Sequence, residues 1–156
     1  MPDDPHVELP VDPDVPRRPL HLRPSALAWV FVGGIVGTFL RYEIEALLPH
    51  DGRAWPWATF LINLAGAFIL GGLLEALARL GDDSGWRQRA RLCAGTGGCG
   101  TFTTYSTLAL EAVLLERHNS PVLAVGYGAA SVVGGIVTAW LGIVVAAGAH
   151  QRRTRA

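Results

Sequence analysis

Four stretches of this chain are long, apolar and almost free of charge. They run from about Ser25 to Leu48, Trp55 to Ala78, Leu92 to Leu115 and Pro121 to Ala149. The first holds Arg41 in its second half, the second is uncharged as far as Leu74, the third is uncharged until Glu111, and the fourth carries no charge. At about 1.5 Å of rise per residue, each is long enough as a helix to cross a hydrocarbon core of about 30 Å. A soluble domain would carry charge along every exposed helix face. Here the charges crowd into the first quarter, the middle and the last few positions. The expected fold class is an all-α integral membrane protein with four transmembrane helices.

The organisation around these spans is simple. Residues 1–24 read as a polar tail with seven prolines, Pro2, Pro5, Pro10, Pro13, Pro16, Pro19 and Pro24. Such a segment buries too little apolar surface to fold alone and is expected to be disordered. It does not open with basic residues and an apolar core, so it is not read as a signal peptide. Residues 25–149 form the transmembrane domain, and 150–156 form a basic C-terminal tail. Two of the three connections are short, so neighbouring helices should run antiparallel. The middle one, near Gly81 to Arg91, is longer and charged. Trp55, Trp57 and Trp86 suit membrane-interface positions. Glu75 and Glu111, near helix ends, read as interfacial and receive no role. With a formal net charge of zero, nothing points to nucleic acid. Cys93 and Cys99 have the wrong spacing for a CxxC pair and read as small apolar residues packed in a helix.

Glycines sit inside the spans, among them Gly33, Gly34, Gly37, Gly66, Gly71, Gly72, Gly134, Gly135 and Gly142. In lipid no hydrophobic force drives helices together, so close backbone approach through small residues does that work. The run Gly95-Thr96-Gly97-Gly98-Cys99-Gly100 matches G-x-G-x-x-G. A dinucleotide site would also need a preceding strand and an acidic residue about 20 positions on. Glu111 and Glu116 come too early, and no strand precedes. The same glycines, followed by Thr101, Thr103, Thr104, Ser106 and Thr107, instead weaken an α-helix at mid-membrane depth. Broken backbone there is tolerated only where protein buries it or it lines a water-filled cavity. Freed carbonyls can hold a cation, and freed amides and hydroxyls can donate to an anion. The third span is therefore expected to be a discontinuous helix at a binding site, with a purely structural kink as the alternative.

Three motifs, one per helix, carry a resemblance. They are Gly33-Gly34-Ile35-Val36-Gly37-Thr38-Phe39-Leu40-Arg41-Tyr42, Thr59-Phe60-Leu61-Ile62-Asn63-Leu64-Ala65-Gly66-Ala67-Phe68, and Gly98-Cys99-Gly100-Thr101-Phe102-Thr103-Thr104-Tyr105-Ser106-Thr107. In this order they resemble the CrcB/Fluc family of small bacterial fluoride channels, over about Ala26 to Gly148. The resemblance implies an antiparallel, inverted-topology dimer with two fluoride pores and a central structural sodium ion. That ion would be held by backbone carbonyls at Gly100 and Thr103, hard oxygen ligands that suit it. The resemblance also implies a pore-facing amide at Asn63, although an asparagine in a membrane helix can simply bridge helices. Tyr105 and Leu108 stand where the family has two phenylalanines. Tyr105 keeps a ring edge with positive character, and Leu108 has none. Ser106 and Thr107 would add hydroxyls. Tyr127 and Ser131, one turn apart, match the family's polar track, with interhelical hydrogen bonding as the other reading. Arg41 matches the first-helix arginine, either drawing anions into a vestibule or snorkelling to the interface.

The function implied is a fluoride-specific channel subunit, not an enzyme, that lowers cytoplasmic fluoride by passive export across the cell's inner membrane. The alternatives are a small four-helix multidrug-type proton antiporter, disfavoured because Val30 to Leu40 holds no carboxylate, and a non-transporting scaffold. Charge also orients the chain. Arg17, Arg18, Arg23, Arg79, Arg87, Arg89, Arg91, Arg152, Arg153 and Arg155 fall on the side of the termini, against Arg53 and Arg117 on the other. The positive-inside rule places both termini in the cytoplasm. So strong a bias points to a paralogous subunit of inverted topology as the dimer partner, the alternative being that some copies of this chain insert inverted.

Overall fold

The computed structural model describes residues 20–155, and every regular element among them is helical. The expectation of disorder in the proline-rich tail lies, for residues 1–19, outside the described residues. A 3-10 turn at Leu20–Leu22 leads into α1 (Pro24–Leu47). Pro24 suits a helix start because its missing N–H would have had no partner there. Next come α2 (Trp57–Arg79), α3 (Gly85–Ala90), a wide-turned π-helical segment (Arg91–Cys99), α4 (Gly100–Phe102), α5 (Tyr105–Arg117) and α6 (Pro121–Arg155). The α5–α6 turn places Asn119 at φ 58, a left-handed conformation that asparagine tolerates better than most residues. The helix that was expected to end near Ala149 continues to Arg155.

Three of these helices, Pro24–Leu47, Trp57–Arg79 and Pro121–Arg152, are long and apolar enough to cross a membrane. The segment read from the sequence as the third span consists of α3, the π-helical segment, α4 and α5. Large apolar side chains cover the outside, among them Phe31, Phe39, Val125, Ile136 and Trp140. This is the surface expected of helices whose solvent is lipid.

The packing follows the glycines. On one side, α1 lies against the π-helical segment and α4. A Cβ on Gly33 would collide with the Cys93 carbonyl, one on Gly37 with the Gly98 carbonyl, and one on Gly97 with the Val30 carbonyl. On the other side, α2 lies against α6. Gly71 sits on the Ala139 carbonyl, and Gly142 sits on the Phe68 carbonyl. Small residues at these crossings let the backbones meet directly, which is how helices associate where hydrophobicity supplies no force.

The glycine run Gly95–Gly100 does not itself leave helical geometry. It is wound as π-helix and then α-helix, pressed against α1. The backbone turns extended later, at Thr103 (φ −77, ψ 157) and Thr104 (φ −147, ψ 127). Low helix propensity is a property of an isolated segment, and tertiary packing overrides it. Here α1 lies against Gly97 and Gly98, and Leu70 and Leu73 of α2 lie against Gly95, which keeps the run wound. The β-branched threonines beyond that cover take the extended conformation their side chains favour. At this point the third span leaves α1 and joins α2 and α6.

Candidate functional site

The extended pair Thr103–Thr104 would leave backbone groups unpaired inside the helical bundle, so the local question is what satisfies them. Asn63 of α2 does much of it. Its Oδ1 accepts from Thr104 N at 2.8 Å, and its Nδ2 donates to Thr104 O at 3.0 Å. The Thr104 hydroxyl then caps α5, accepting from Thr107 N at 3.2 Å. It also bonds the Thr107 hydroxyl at 3.0 Å and lies 3.2 Å from that of Ser106. The amide of asparagine thus stands in for a helical hydrogen-bond partner, and α5 restarts on a side-chain cap.

These bonds bear on the cation implied for this region. In an unbroken helix Thr104 N would donate to the Gly100 carbonyl and Thr107 N to the Thr103 carbonyl. Both amides are engaged elsewhere, by Asn63 and by the Thr104 hydroxyl. The carbonyls of Gly100 and Thr103 therefore lose their regular partners, and such oxygens fit a hard monovalent cation.

One turn from Asn63 on α2 stands Thr59, fully buried. Its hydroxyl donates to Glu111 Oε1 at 2.8 Å, and the Tyr127 hydroxyl donates to Glu111 Oε2 at 2.7 Å. Glu111 is only 7% exposed. This corrects the reading of Glu111 as interfacial: the carboxylate faces inward, and two buried hydroxyls compensate its desolvation. Ser131, one turn from Tyr127 on α6, has a buried Oγ with no partner. The result is a polar ladder shared by α2, α5 and α6. One rung is Asn63, Thr104 and Ser131; the next, toward the end away from the chain termini, is Thr59, Glu111 and Tyr127.

Beside the inner rung opens a cleft of about 430 Å³, lined by Asn63, Gly66, Cys99, Gly100, Thr103, Thr104, Tyr105, Leu108 and Ser131 among others. Gly66 has no room for a side chain, because a Cβ there would collide with the Thr103 methyl. Tyr105 is 82% exposed. Of the residues singled out from the sequence, Asn63, Gly100, Thr103, Tyr105, Leu108 and Ser131 line this one cleft. Ser106 and Thr107 gather around the Thr104 hydroxyl, and Tyr127 lies in the rung beyond. Arg41 stands apart on α1, with its Nε 3.9 Å from Glu45 Oε1. Sequence reasoning missed Thr59 and Glu111. The signal was a repeated spacing: Thr59–Asn63, Thr107–Glu111 and Tyr127–Ser131 are each one helical turn apart.

Residues 28–143 match the profile of the family described as "CrcB-like protein, Camphor Resistance (CrcB)". The chain belongs to the CrcB family. The CrcB match takes in every residue of the ladder and of the cleft. Among curated relatives, the "Fluoride-specific ion channel FluC 1" of Cutibacterium acnes is 42% identical over 128 residues, covering 82% of this chain and 88% of the relative. The "Fluoride-specific ion channel FluC 2" of Leifsonia xyli is 40% identical over 135 residues, covering 86% and 92%. The "Fluoride-specific ion channel FluC" of Ignicoccus hospitalis is 38% identical over 118 residues, covering 76% and 92%. These CrcB relatives carry the names of ion channels, not of enzymes. With its apolar helices, this CrcB chain is a membrane protein.

Proposed function

We propose that this chain is a subunit of a fluoride-specific ion channel, not an enzyme, that lowers cytoplasmic fluoride by passive export. The observation that carries the reading is the ladder of buried amide and hydroxyl groups between α2, α5 and α6, in a family whose curated relatives are named as fluoride channels.

Fluoride is small and strongly hydrated, so a pore must replace its water with donors. Asn63 spends one N–H on Thr104 O and keeps a second for an anion. The unpartnered Ser131 hydroxyl faces the same requirement from the other side: it is a buried donor in want of an acceptor. The Thr59 and Tyr127 hydroxyls are held by Glu111, so an anion using them must exchange with the carboxylate. Tyr105 offers a ring edge to the cleft, Leu108 offers none, and Ser106 and Thr107 add hydroxyls. Arg41, shared with Glu45, would raise the local anion concentration at a vestibule.

The cleft is open on one side, and Tyr105 at its edge is mostly exposed in the single subunit. Both features fit a dimer in which a second, inverted subunit closes the pore. The carbonyls of Gly100 and Thr103 would hold the structural sodium ion at its centre, neutralising oxygens that the helix leaves unpaired. The arginine bias places both termini in the cytoplasm and favours a paralogous partner of opposite orientation. Hydrogen fluoride enters an acidified cell uncharged and dissociates inside. The membrane potential then drives the anion out, at about 2.3 kcal/mol per charge per 100 mV.

Fluoride release from liposomes carrying this chain, alone and together with an inverted paralogue, tests the reading. Electrode-detected release of fluoride but not chloride in at least one preparation is expected; release in neither overturns it. Cysteines placed at Ser84 and Ser120 test orientation, with labelling from outside intact cells expected only at Ser120.

A further inference from the structure

Among the described residues, three buried side-chain polar atoms have no hydrogen-bond partner: Ser131 Oγ, Trp55 Nε1 and His50 Nε2. Ser131 belongs to the ladder already described. The other two lie in the connection between α1 and α2, which that account leaves unused. This connection folds onto the end of α5, where Gly52 lies against the His118 ring and Leu114. Its last residues bring Trp55 directly over the outer rung. The Trp55 ring meets Tyr127 edge to face, with centroids 5.5 Å apart and planes at 83°, and meets Phe60 in the same way at 5.3 Å and 80°. Trp57 closes the group at 6.0 Å. Trp57 and Trp86 are exposed, whereas the Trp55 indole nitrogen is turned inward.

An indole N–H can only donate. Buried among aromatic rings, it needs an acceptor, and no protein atom supplies one. Native structures rarely leave such a donor unpaired, and the exceptions mark bound water, an ion or a working site. Here the ring that carries the donor packs on Tyr127, at the outer end of the ladder. The ring wall keeps the local dielectric low, which strengthens a hydrogen bond from N–H to a small anion. We infer that the Trp55 indole N–H is a further fluoride-binding donor, a station between the Glu111–Tyr127–Thr59 rung and the aqueous mouth. The assignment rests on the fluoride-channel reading above.

Indole ¹⁵N–¹H NMR on the full chain in bicelles tests it, because the chain has only five tryptophans and Trp55→Phe identifies the relevant signal by its loss. On titration with sodium fluoride, the Trp55 signal should move saturably, while the other four stay in place and sodium chloride has no effect. Trp55→Phe leaves a phenyl ring over Tyr127 but removes the pyrrole half of the indole together with its N–H. In liposomes it should lower fluoride release by roughly an order of magnitude, the effect of losing one hydrogen bond to a charged group, with oligomeric state unchanged and the melting temperature lowered only by the lost ring volume. A Trp55 signal indifferent to fluoride, in a protein that conducts fluoride, overturns the inference and leaves the channel reading standing. An equal shift with chloride overturns the fluoride assignment. Unmutated protein that releases no fluoride overturns both.

Discussion

From Arg91 to Phe102 the third span lies against α1 with little but backbone between them. From Tyr105 to Arg117 it is tied to α2 and α6 through side-chain hydrogen bonds. Gly33, Gly37 and Gly97 sit directly on carbonyls of the facing helix, and the Thr101 hydroxyl bonds Gly34 O at 2.9 Å across the same seam. That half is a fit of shapes, and it offers few groups to an ion. The other half begins on a capped threonine, carries a buried carboxylate and ends among tyrosine and threonine hydroxyls. Polar groups in a membrane helix are costly and are generally retained for function. One span therefore divides its labour at Thr103–Thr104, with assembly in the glycine half and chemistry in the polar half.

The most damaging way to break the first half is Gly97→Val. Its Cβ would overlap the Val30 carbonyl and come within 3.0 Å of Gly34 N, and neither backbone can move without unseating α1. Overpacking of a tight site typically costs about 1–3 kcal/mol, and more where the neighbour is rigid. The expected result is loss of monodisperse protein in size-exclusion chromatography. Gly126→Ala on α6, where a Cβ meets open space, should purify normally. Normal behaviour of Gly97→Val would remove the shape-fit account.

Breaking the second half should spare assembly and strike conduction. Glu111→Gln keeps the side-chain volume but removes the charge to which Thr59 and Tyr127 donate. Hydrogen bonds to charged groups are worth about 1.5–3 kcal/mol, and without them the two hydroxyls lose the orientation in which they would pass to an anion, so fluoride release should fall roughly tenfold to a hundredfold at unchanged yield. A rate equal to the unmutated protein would make Glu111 a structural residue. Asn63→Ala should lie between the two cases. It deletes both bonds to Thr104, so it should lower melting temperature as well as release. A loss of release alone would assign Asn63 to the pore without the backbone role.

How much of this was legible follows from the range of each interaction. The four spans and their glycine faces are local patterns, and they could be read directly. The place of the interruption could be read only through the family resemblance, which puts it about Gly100 and Thr103, and not from the glycines themselves. Glycine content reads as weakness until its packing against α1 and α2 is known, and the Asn63–Thr104 bonds join residues 41 positions apart. Glu111 was misread for the same reason. A charge near a helix end looks interfacial unless its partner is known, and Thr59 is 52 positions away. Reading Trp55 from composition as an interface residue says nothing of its contact with Tyr127, 72 positions away.

A gain of function sharpens the comparison further. Leu108 lines the cleft on the polar half and contributes no ring. Leu108→Phe should raise fluoride release a few-fold, since a ring edge of positive character is worth about 0.5–1.5 kcal/mol to a suitably placed partner. It should leave melting temperature unchanged, because the cleft is open. No gain in a well-folded variant would mean that the missing ring does not limit conduction.

The smallest effect is expected where the glycine half has a polar tie of its own, outside the membrane. Arg91 grips Asp83 with Nη2 at 2.6 Å from Oδ2 and Nε at 3.0 Å from both oxygens. The guanidinium holds the Asp83 carboxyl below its ordinary value of 3.8. A carboxyl whose folded value is depressed contributes stability that is present above the unfolded value and lost as pH falls through the folded one. Asp83 is nearly half exposed, so solvent screens the pair, and such pairs contribute about 0.2–1 kcal/mol. Asp83→Asn should therefore lower the melting temperature by only about 1–3 °C at pH 7. As pH falls through that depressed value the unmutated carboxyl itself becomes neutral, and the difference should vanish. A drop several times larger at pH 7 would make polar ties as important to the glycine half as to the other, and the division at Thr103–Thr104 would fail. A difference that persists in acid would mean that Asp83 acts through something other than its charge.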